Sequence, residues 1–228
     1  MIRPLLTATI EYVLMFLVLK YGTSHRRIIA LVLFFLASYQ FGEVMIFMTN
    51  GAEVAFKFAY ISTTMLPPLG VLLVSKVMGK QLGYVLFQAV SAMFIGFMII
   101  TPQIILSFGF GEYCVRIFEY HPFLSQYWSM FYQGTLIATV LAAIVGFVVS
   151  NDVEVRYKLK WIIIAYLLFD GVAMVIAFTN TWFMPSTASL MCALALFASF
   201  IFAKISLPKN FINTYTESWN FRKPKSLG

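Results

Sequence analysis

Long apolar stretches recur along the chain, and short segments with the charged and turn-forming residues separate them. Each of seven stretches approaches the length of about 20 residues that a helix needs to cross a bilayer. In hydrocarbon the backbone has no hydrogen-bond partner outside its own helix, so the pattern predicts helices. The predicted spans are residues 4–20, 28–48, 54–76, 83–105, 128–150, 160–178 and 183–204. The sequence thus predicts an all-α membrane protein, with a seven-transmembrane helix bundle in residues 1–204 and a short basic cytoplasmic tail in residues 205–228.

The distribution of Lys and Arg predicts the orientation of the bundle. With the N-terminus outside, thirteen of the 16 basic residues fall in cytoplasmic connections or in the tail. Only Arg3, Lys57 and Arg116 then lie outside. Cytoplasmic loops carry an excess of Lys and Arg, so we expect an outside N-terminus and a cytoplasmic C-terminus.

Composition supports the bilayer as the main partner and argues against other classes of protein. Hydrophobic residues make up 61% of the chain and charged residues 11%, whereas soluble domains carry roughly a quarter charged residues. The net charge of +7 comes from basic residues scattered at span ends, which is not the footprint of a nucleic-acid-binding face. The two cysteines form neither a metal cluster nor a disulfide framework, and no catalytic or phosphate-binding motif is present. We therefore expect neither an enzyme nor a cofactor or metal site.

Several polar side chains fall inside predicted spans, where ionisable groups are costly and indicate function by default. These residues, the polar set, are Glu11, Gln40, Glu43, Lys57, Tyr60, Tyr166 and Asp170. At 1.5 Å per residue, Glu11 and Asp170 come about 14–15 Å above the inner end of their spans, and Gln40 and Glu43 about 18 and 23 Å. Lys57 falls near the outer rim. The polar set therefore predicts a ligand-binding cavity in the outer half of the bundle. Buried hydrogen bonds that fix helix register are the alternative, and for Glu43 and Lys57 a salt bridge at the rim.

Two further features affect the outer half. The Pro67–Pro68 pair removes two backbone donors from the third span, which predicts a kink or a hinge there. The outer connection, residues 106–127, alternates polar and apolar side chains between Glu112 and Arg116. That alternation predicts a short strand or hairpin, placed over the mouth of the bundle.

Five segments resemble the seven-helix sensor regions at the N-terminus of some bacterial histidine kinases and diguanylate cyclases. They are Phe56–Ile61, Leu66–Leu69 with its Pro-Pro pair, Phe123–Tyr132, the basic Arg156–Lys160, and Ser206–Pro208 at the end of the last span. Such regions precede a kinase or cyclase domain, but here only residues 205–228 follow the last span. The resemblance implies a stand-alone input module that signals through a separate partner.

The functional hypothesis is a sensor or receptor of the bacterial inner membrane. It would bind a small ligand or a partner on its extracytoplasmic side and relay that event to a membrane or cytoplasmic protein. An accessory subunit of a larger membrane complex is one alternative, since small residues at every fourth position of the fifth span (Gly134, Ala138, Ala142, Gly146) offer a packing stripe. A small proton-coupled transporter that uses Glu11, Glu43 and Asp170 is the other.

Overall fold

A computed structural model describes residues 2–80, 83–100, 105–110, 116–120, 122–171 and 187–208 of the chain. Its helices are α1 (Ile2–Tyr21), α2 (Arg26–Met48), α3 (Glu53–Thr64), α4 (Leu66–Val77), α5 (Gly83–Ile100), α6 (Pro122–Val149), α7 (Val153–Tyr166) and α8 (Thr187–Ser206). A π-helical turn, Leu167–Gly171, continues α7. Strands β1 (Ile105–Phe110) and β2 (Arg116–Tyr120) lie between α5 and α6.

Four helical segments are long and apolar enough to cross a membrane, within the part of the chain that the structure describes. They are Arg3–Tyr21, Arg26–Met48, Glu53–Val77 and Gln126–Val149. A shorter apolar helix covers Leu194–Ser206. The prediction of a helical membrane protein is thereby confirmed.

The third predicted span is interrupted where the Pro-Pro pair predicts it. Helix α3 ends at Thr64, Met65 forms a turn, and α4 begins at Leu66 with proline in its first turn. The Met65 N–H donates to the Ile61 carbonyl at 3.2 Å and the Leu69 N–H to the Met65 carbonyl at 3.4 Å, so the two helices remain one span. The missing donors of Pro67 and Pro68 explain the break.

Strands β1 and β2 form an antiparallel hairpin, with Phe108 opposite Phe118 and Phe110 opposite Arg116. A hairpin is present in the outer connection, but its strands lie on either side of the Glu112–Arg116 segment from which it was predicted, and residues 111–115 lie outside the described structure. Its place over the bundle mouth stays a prediction. Helix α5 ends at Ile100, five residues before the predicted end of that span. Helices α6 and α7 begin earlier than predicted, at Pro122 and Val153.

Helix α2 is the central element of the bundle, because it packs against α1, α3, α4 and α8. Helix α6 packs against α4 and α7, and α8 closes the bundle against α1 and α7. The largest fully buried apolar side chains are Ile29, Leu33, Leu73, Leu136, Leu159 and Ile162. A second cluster of Ile46, Ala55, Phe56 and Ala59 lies where α2 meets α3.

Candidate functional site

Helices α2 and α3 cross closely where Gly42 of α2 meets Ala59 of α3. A Cβ atom placed on Gly42 would lie 2.7 Å from the Ala59 Cβ and 2.9 Å from its Cα. Only glycine allows this approach, because any side chain would meet backbone. Gln40 and Glu43 flank Gly42, and Lys57 and Tyr60 flank Ala59, so the crossing puts four members of the polar set at one level of the bundle. Gln40 is fully buried, while Glu43, Lys57 and Tyr60 are half-buried.

Lys57 forms an ion pair within its own helix. Its Nζ lies 2.6 Å from the Glu53 Oε1, and the two side chains are 19% and 53% exposed. The spacing of four residues places the two groups on one face of α3. The carboxylate of Glu53, which the sequence analysis did not single out, therefore lies beside Lys57 on α3.

Four aromatic rings form a continuous column between α3 and α6. Phe56 stacks on Tyr60 at 5.6 Å, Tyr60 contacts Trp128 at 4.5 Å, and Trp128 stacks on Tyr132 at 4.7 Å between ring centroids. The Trp128 indole N–H donates to the Thr64 hydroxyl at 2.7 Å. Tyr60 thus lies in an aromatic contact that ties α3 to α6. In the sequence, the pairs Phe56–Tyr60 and Trp128–Tyr132, each four residues apart on one helix, were the pattern that indicates such an aromatic contact.

Glu11 is fully buried where α1 meets α8. The Ser199 hydroxyl donates to the Glu11 Oε1 at 3.0 Å and also lies 2.9 Å from the Ala195 carbonyl. The Glu11 Oε2 has no hydrogen-bond partner among the described residues. The carboxyl group of Glu11 therefore joins two helices through one serine, which the sequence could not identify.

Tyr166 is buried in the middle of the bundle, and its hydroxyl packs against Gly70, where a Cβ would lie 2.0 Å from the hydroxyl oxygen. It also lines a small apolar cavity of about 20 Å³. The lining residues are Val32, Leu36, Leu66, Leu136, Ala165, Tyr166, Phe169, Ala198 and Phe202. This cavity has room for about one water molecule. Asp170 lies in the π-helical turn, and its side chain is outside the described part of the structure.

Polar contacts join the α1–α2 turn to two helices, α7 and α8, at the basic end of the bundle. The α1–α2 turn is bonded to the end of α8, because the Thr23 N–H donates to the Ser206 carbonyl at 2.9 Å and the Ser206 hydroxyl donates to the Ser24 carbonyl at 3.3 Å. Lys158 of α7 donates to the Ser24 hydroxyl at 2.9 Å and pairs with Glu154 at 2.5 Å. We call these five residues the inner latch.

His25 follows the inner latch and occupies the left-handed region, with φ of 52°. Burial lowers the pKa of its imidazole below the usual value of 6.5. The neighbouring charges of Lys158 and Lys76 lower this pKa further, and Glu154 acts in the opposite direction. Protonation of His25 therefore opposes the folded arrangement of the turn.

The described residues contain no group of three or more His, Cys, Asp and Glu side chains that could hold a metal ion. The structure distributes the polar set among the α2–α3 crossing, the Glu11–Ser199 contact and the surroundings of Tyr166. No protein-family model matches the chain, and the searches of curated proteins and of solved structures likewise found no match. The resemblance to bacterial sensor regions stays a prediction.

Proposed function

We propose that this chain is a sensor or receptor of the bacterial inner membrane, with seven spans and an outside N-terminus. It binds a small ligand at the outer level of the α2–α3 crossing and relays the event to a separate protein at the basic inner face. The observation that supports this proposal best is the Gly42–Ala59 contact. It brings the buried amide of Gln40, the carboxylate of Glu43 and the ammonium group of Lys57 to one level of the bundle.

Three further helices complete the proposed set of seven spans. Helix α5 has 18 residues, α8 has 20, and α7 continues into the π-helical turn. At 1.5 Å per residue, each reaches about 27–30 Å, close to the thickness of the hydrocarbon core. The orientation rests on the excess of Lys and Arg at the end of the bundle that carries the inner latch.

In the proposed relay, α2 transmits the movement from one end of the bundle to the other. This helix makes the Gly42–Ala59 contact near its C-terminal end, and its N-terminus follows the α1–α2 turn that the inner latch holds. A ligand that separates α2 from α3 would tilt α2. The tilt would strain the bonds of Ser24 and Thr23 to α7 and α8, where a cytoplasmic partner can detect it.

The cavity beside Tyr166 is apolar and has room for about one water molecule, so this part of the described bundle offers no path for a polar substrate. An accessory subunit is the second candidate. Within the small-residue stripe of α6, Gly146 packs inside the bundle against Met78 and Leu159, but Gly134 has no described atom within 4 Å of an added Cβ. The outer part of the stripe is therefore open to another protein or to lipid.

The test is purification in mild detergent, followed by native mass spectrometry of what stays bound. We expect a small molecule that is lost in Glu43→Gln and in Lys57→Gln. Asp152→Asn is the matched control, because it removes a negative charge from an exposed residue outside the inner latch, and asparagine caps a helix as well as aspartate does. If a protein were bound at fixed stoichiometry and no small molecule were found, the receptor proposal would be wrong and the chain would be an accessory subunit.

A further inference from the structure

Helix α7 presents a basic and aromatic face to the outside of the bundle. The helix begins after Asp152, whose carboxylate accepts the Glu154 N–H at 2.7 Å and thereby caps the first turn. The buried positions Leu159, Ile162 and Ala165 turn one side of the helix inward. The side chains in the first two turns of the opposite side are exposed: Arg156, Tyr157 and Lys160.

Helix α8 adds a third cation at the same level. The Lys204 Nζ lies 3.9 Å from the centroid of the Trp161 ring, and the Lys204 side chain is exposed. Tyr157 contacts the edge of Trp161 at 6.3 Å. A lysine held over an aromatic face keeps its position at little entropic cost, so the ammonium group is preorganised. We call Arg156, Tyr157, Lys160, Trp161 and Lys204 the α7–α8 surface.

Within the described residues, Arg156, Lys160 and Lys204 form no ion pair. The neighbouring carboxylate of Glu154 pairs with Lys158 instead. Arg156 lies 4.8 Å from the centroid of the Phe147 ring, which leaves its charge uncompensated. The surface therefore suits an anion.

Above the cations, the same face of α7 becomes apolar. Leu167 is 51% exposed and Leu168 is 38% exposed. Leu167 lies seven residues beyond Lys160, which is about 10 Å along a helix. A cationic end and an adjoining apolar stripe at this separation match a phospholipid, whose phosphate lies at the interface and whose acyl chain extends into the hydrocarbon. An acidic protein domain would stay in water and could not use the apolar stripe.

We propose that the α7–α8 surface binds the headgroup phosphate of an anionic phospholipid, whose acyl chain lies along Leu167 and Leu168. Basic side chains near the headgroups commonly extend to the interface without binding a particular lipid. The site differs from that general behaviour because one of its lysines lies over the ring of Trp161, and because two neighbouring helices contribute cations.

The experiment uses the full chain in nanodiscs of phosphatidylcholine with a small fraction of phosphatidylglycerol. Native mass spectrometry then counts the phosphatidylglycerol that the released protein retains. Each basic residue near a membrane surface contributes about 1 kcal/mol of attraction to anionic lipid, or about fivefold in affinity. We therefore expect the double variant Lys160→Gln, Lys204→Gln to retain phosphatidylglycerol about 30-fold more weakly.

The control is the double variant Lys20→Gln, Lys80→Gln, which removes the same charge from exposed lysines elsewhere on the basic end. It should bind the lipid like the unchanged protein. Equal losses in both double variants would overturn the proposal, because net charge alone would then explain binding. Displacement of the lipid by inorganic phosphate would overturn it as well, since the acyl chain would then contribute nothing. Lys160→Arg, Lys204→Arg keeps both charges and should retain the lipid, which separates loss of the site from loss of the fold.

Discussion

The packing of Gly42 on Ala59 gives the sharpest test of the outer site. In Gly42→Ala the new methyl group would lie 2.7 Å from the Ala59 Cβ, 2.9 Å from its Cα and 3.2 Å from its backbone nitrogen. Carbon atoms pack at about 3.5–4.0 Å, so the two helices must separate by about 1 Å. No rotamer change can relieve this clash, because two of the three atoms belong to the backbone.

Two effects of opposite sign decide the size of the change. Overpacking of a close contact costs about 1–3 kcal/mol. Alanine is better than glycine inside a helix by about 1 kcal/mol, which offsets part of that cost. Because the clash involves backbone, we expect the upper part of the range to apply. The net loss in free energy of unfolding should be about 1–2 kcal/mol.

Unfolding in mixed micelles, followed by tryptophan fluorescence, measures this loss. The matched control is Gly134→Ala, where an added Cβ has no described neighbour within 4 Å, so this variant should be neutral or stabilised by up to about 1 kcal/mol. Adding Ala59→Gly to Gly42→Ala removes the Cβ–Cβ contact but keeps the one at 2.9 Å, so recovery should be partial. If Gly42→Ala proved as stable as Gly134→Ala, the helices would not cross as closely as we describe.

Three further predictions concern other contacts. Gly70→Ala would place a Cβ 2.0 Å from the Tyr166 hydroxyl oxygen and should destabilise the bundle, and Tyr166→Phe should relieve part of the cost in a double-mutant cycle. Trp128→Phe removes the 2.7 Å hydrogen bond to Thr64 and should lower the free energy of unfolding by about 0.5–1.5 kcal/mol, measured by the same fluorescence assay. An unchanged free energy of unfolding would mean that this bond does not stabilise the packing of α3 on α6. The pKa of His25 is lower in the folded protein than in the unfolded chain, so its stabilising contribution is complete above pH 6.5 and is lost as the pH falls through the folded-state pKa. The thermal stability of His25→Asn should therefore decrease less on acidification. Asparagine is chosen because it tolerates the positive φ of this position.

The helices could be predicted from the sequence, because an apolar run of membrane length has few alternatives. The Pro-Pro break also followed from local chemistry, whereas the strands of the hairpin flank the alternating segment from which a hairpin was predicted. The early starts of α6 and α7 could not be read from hydropathy, since these turns lie beyond the apolar run. Helix α7 begins at a polar cap: Asp152 bonds the Glu154 and Val155 N–H groups, and such a cap is favourable whether or not the first turn is apolar.

The partners of the polar side chains were beyond the reach of sequence reasoning. Ser199 lies 188 residues from Glu11, and Ser206 lies 182 residues from Ser24. Serine also bonds to its own helix, as Ser199 does with Ala195, so its presence in an apolar run indicates no distant partner. Depth along a helix can be counted from residue number, but the direction in which each polar group points depends on how the helices are rotated. Depth alone grouped Glu11 with the rest of the polar set, whereas in the structure its carboxyl group bonds to Ser199 of α8.

The central position of α2 gives the relay a geometric basis. Helix α2 has 23 residues and is therefore about 35 Å long, comparable to the whole hydrocarbon thickness. A helix of this length without proline is stiff, so a separation of about 1 Å at Gly42 cannot be absorbed locally. The separation at Gly42 must therefore displace another part of α2. At the α1–α2 turn, hydrogen bonds as well as apolar packing connect this helix to α7 and α8. Hydrogen bonds tolerate small shifts less well than apolar contacts because they depend on direction. Gly42→Ala should therefore loosen the inner latch as well as the outer crossing, and faster amide exchange at Thr23 in this variant, absent in Gly134→Ala, would be the sign of that coupling.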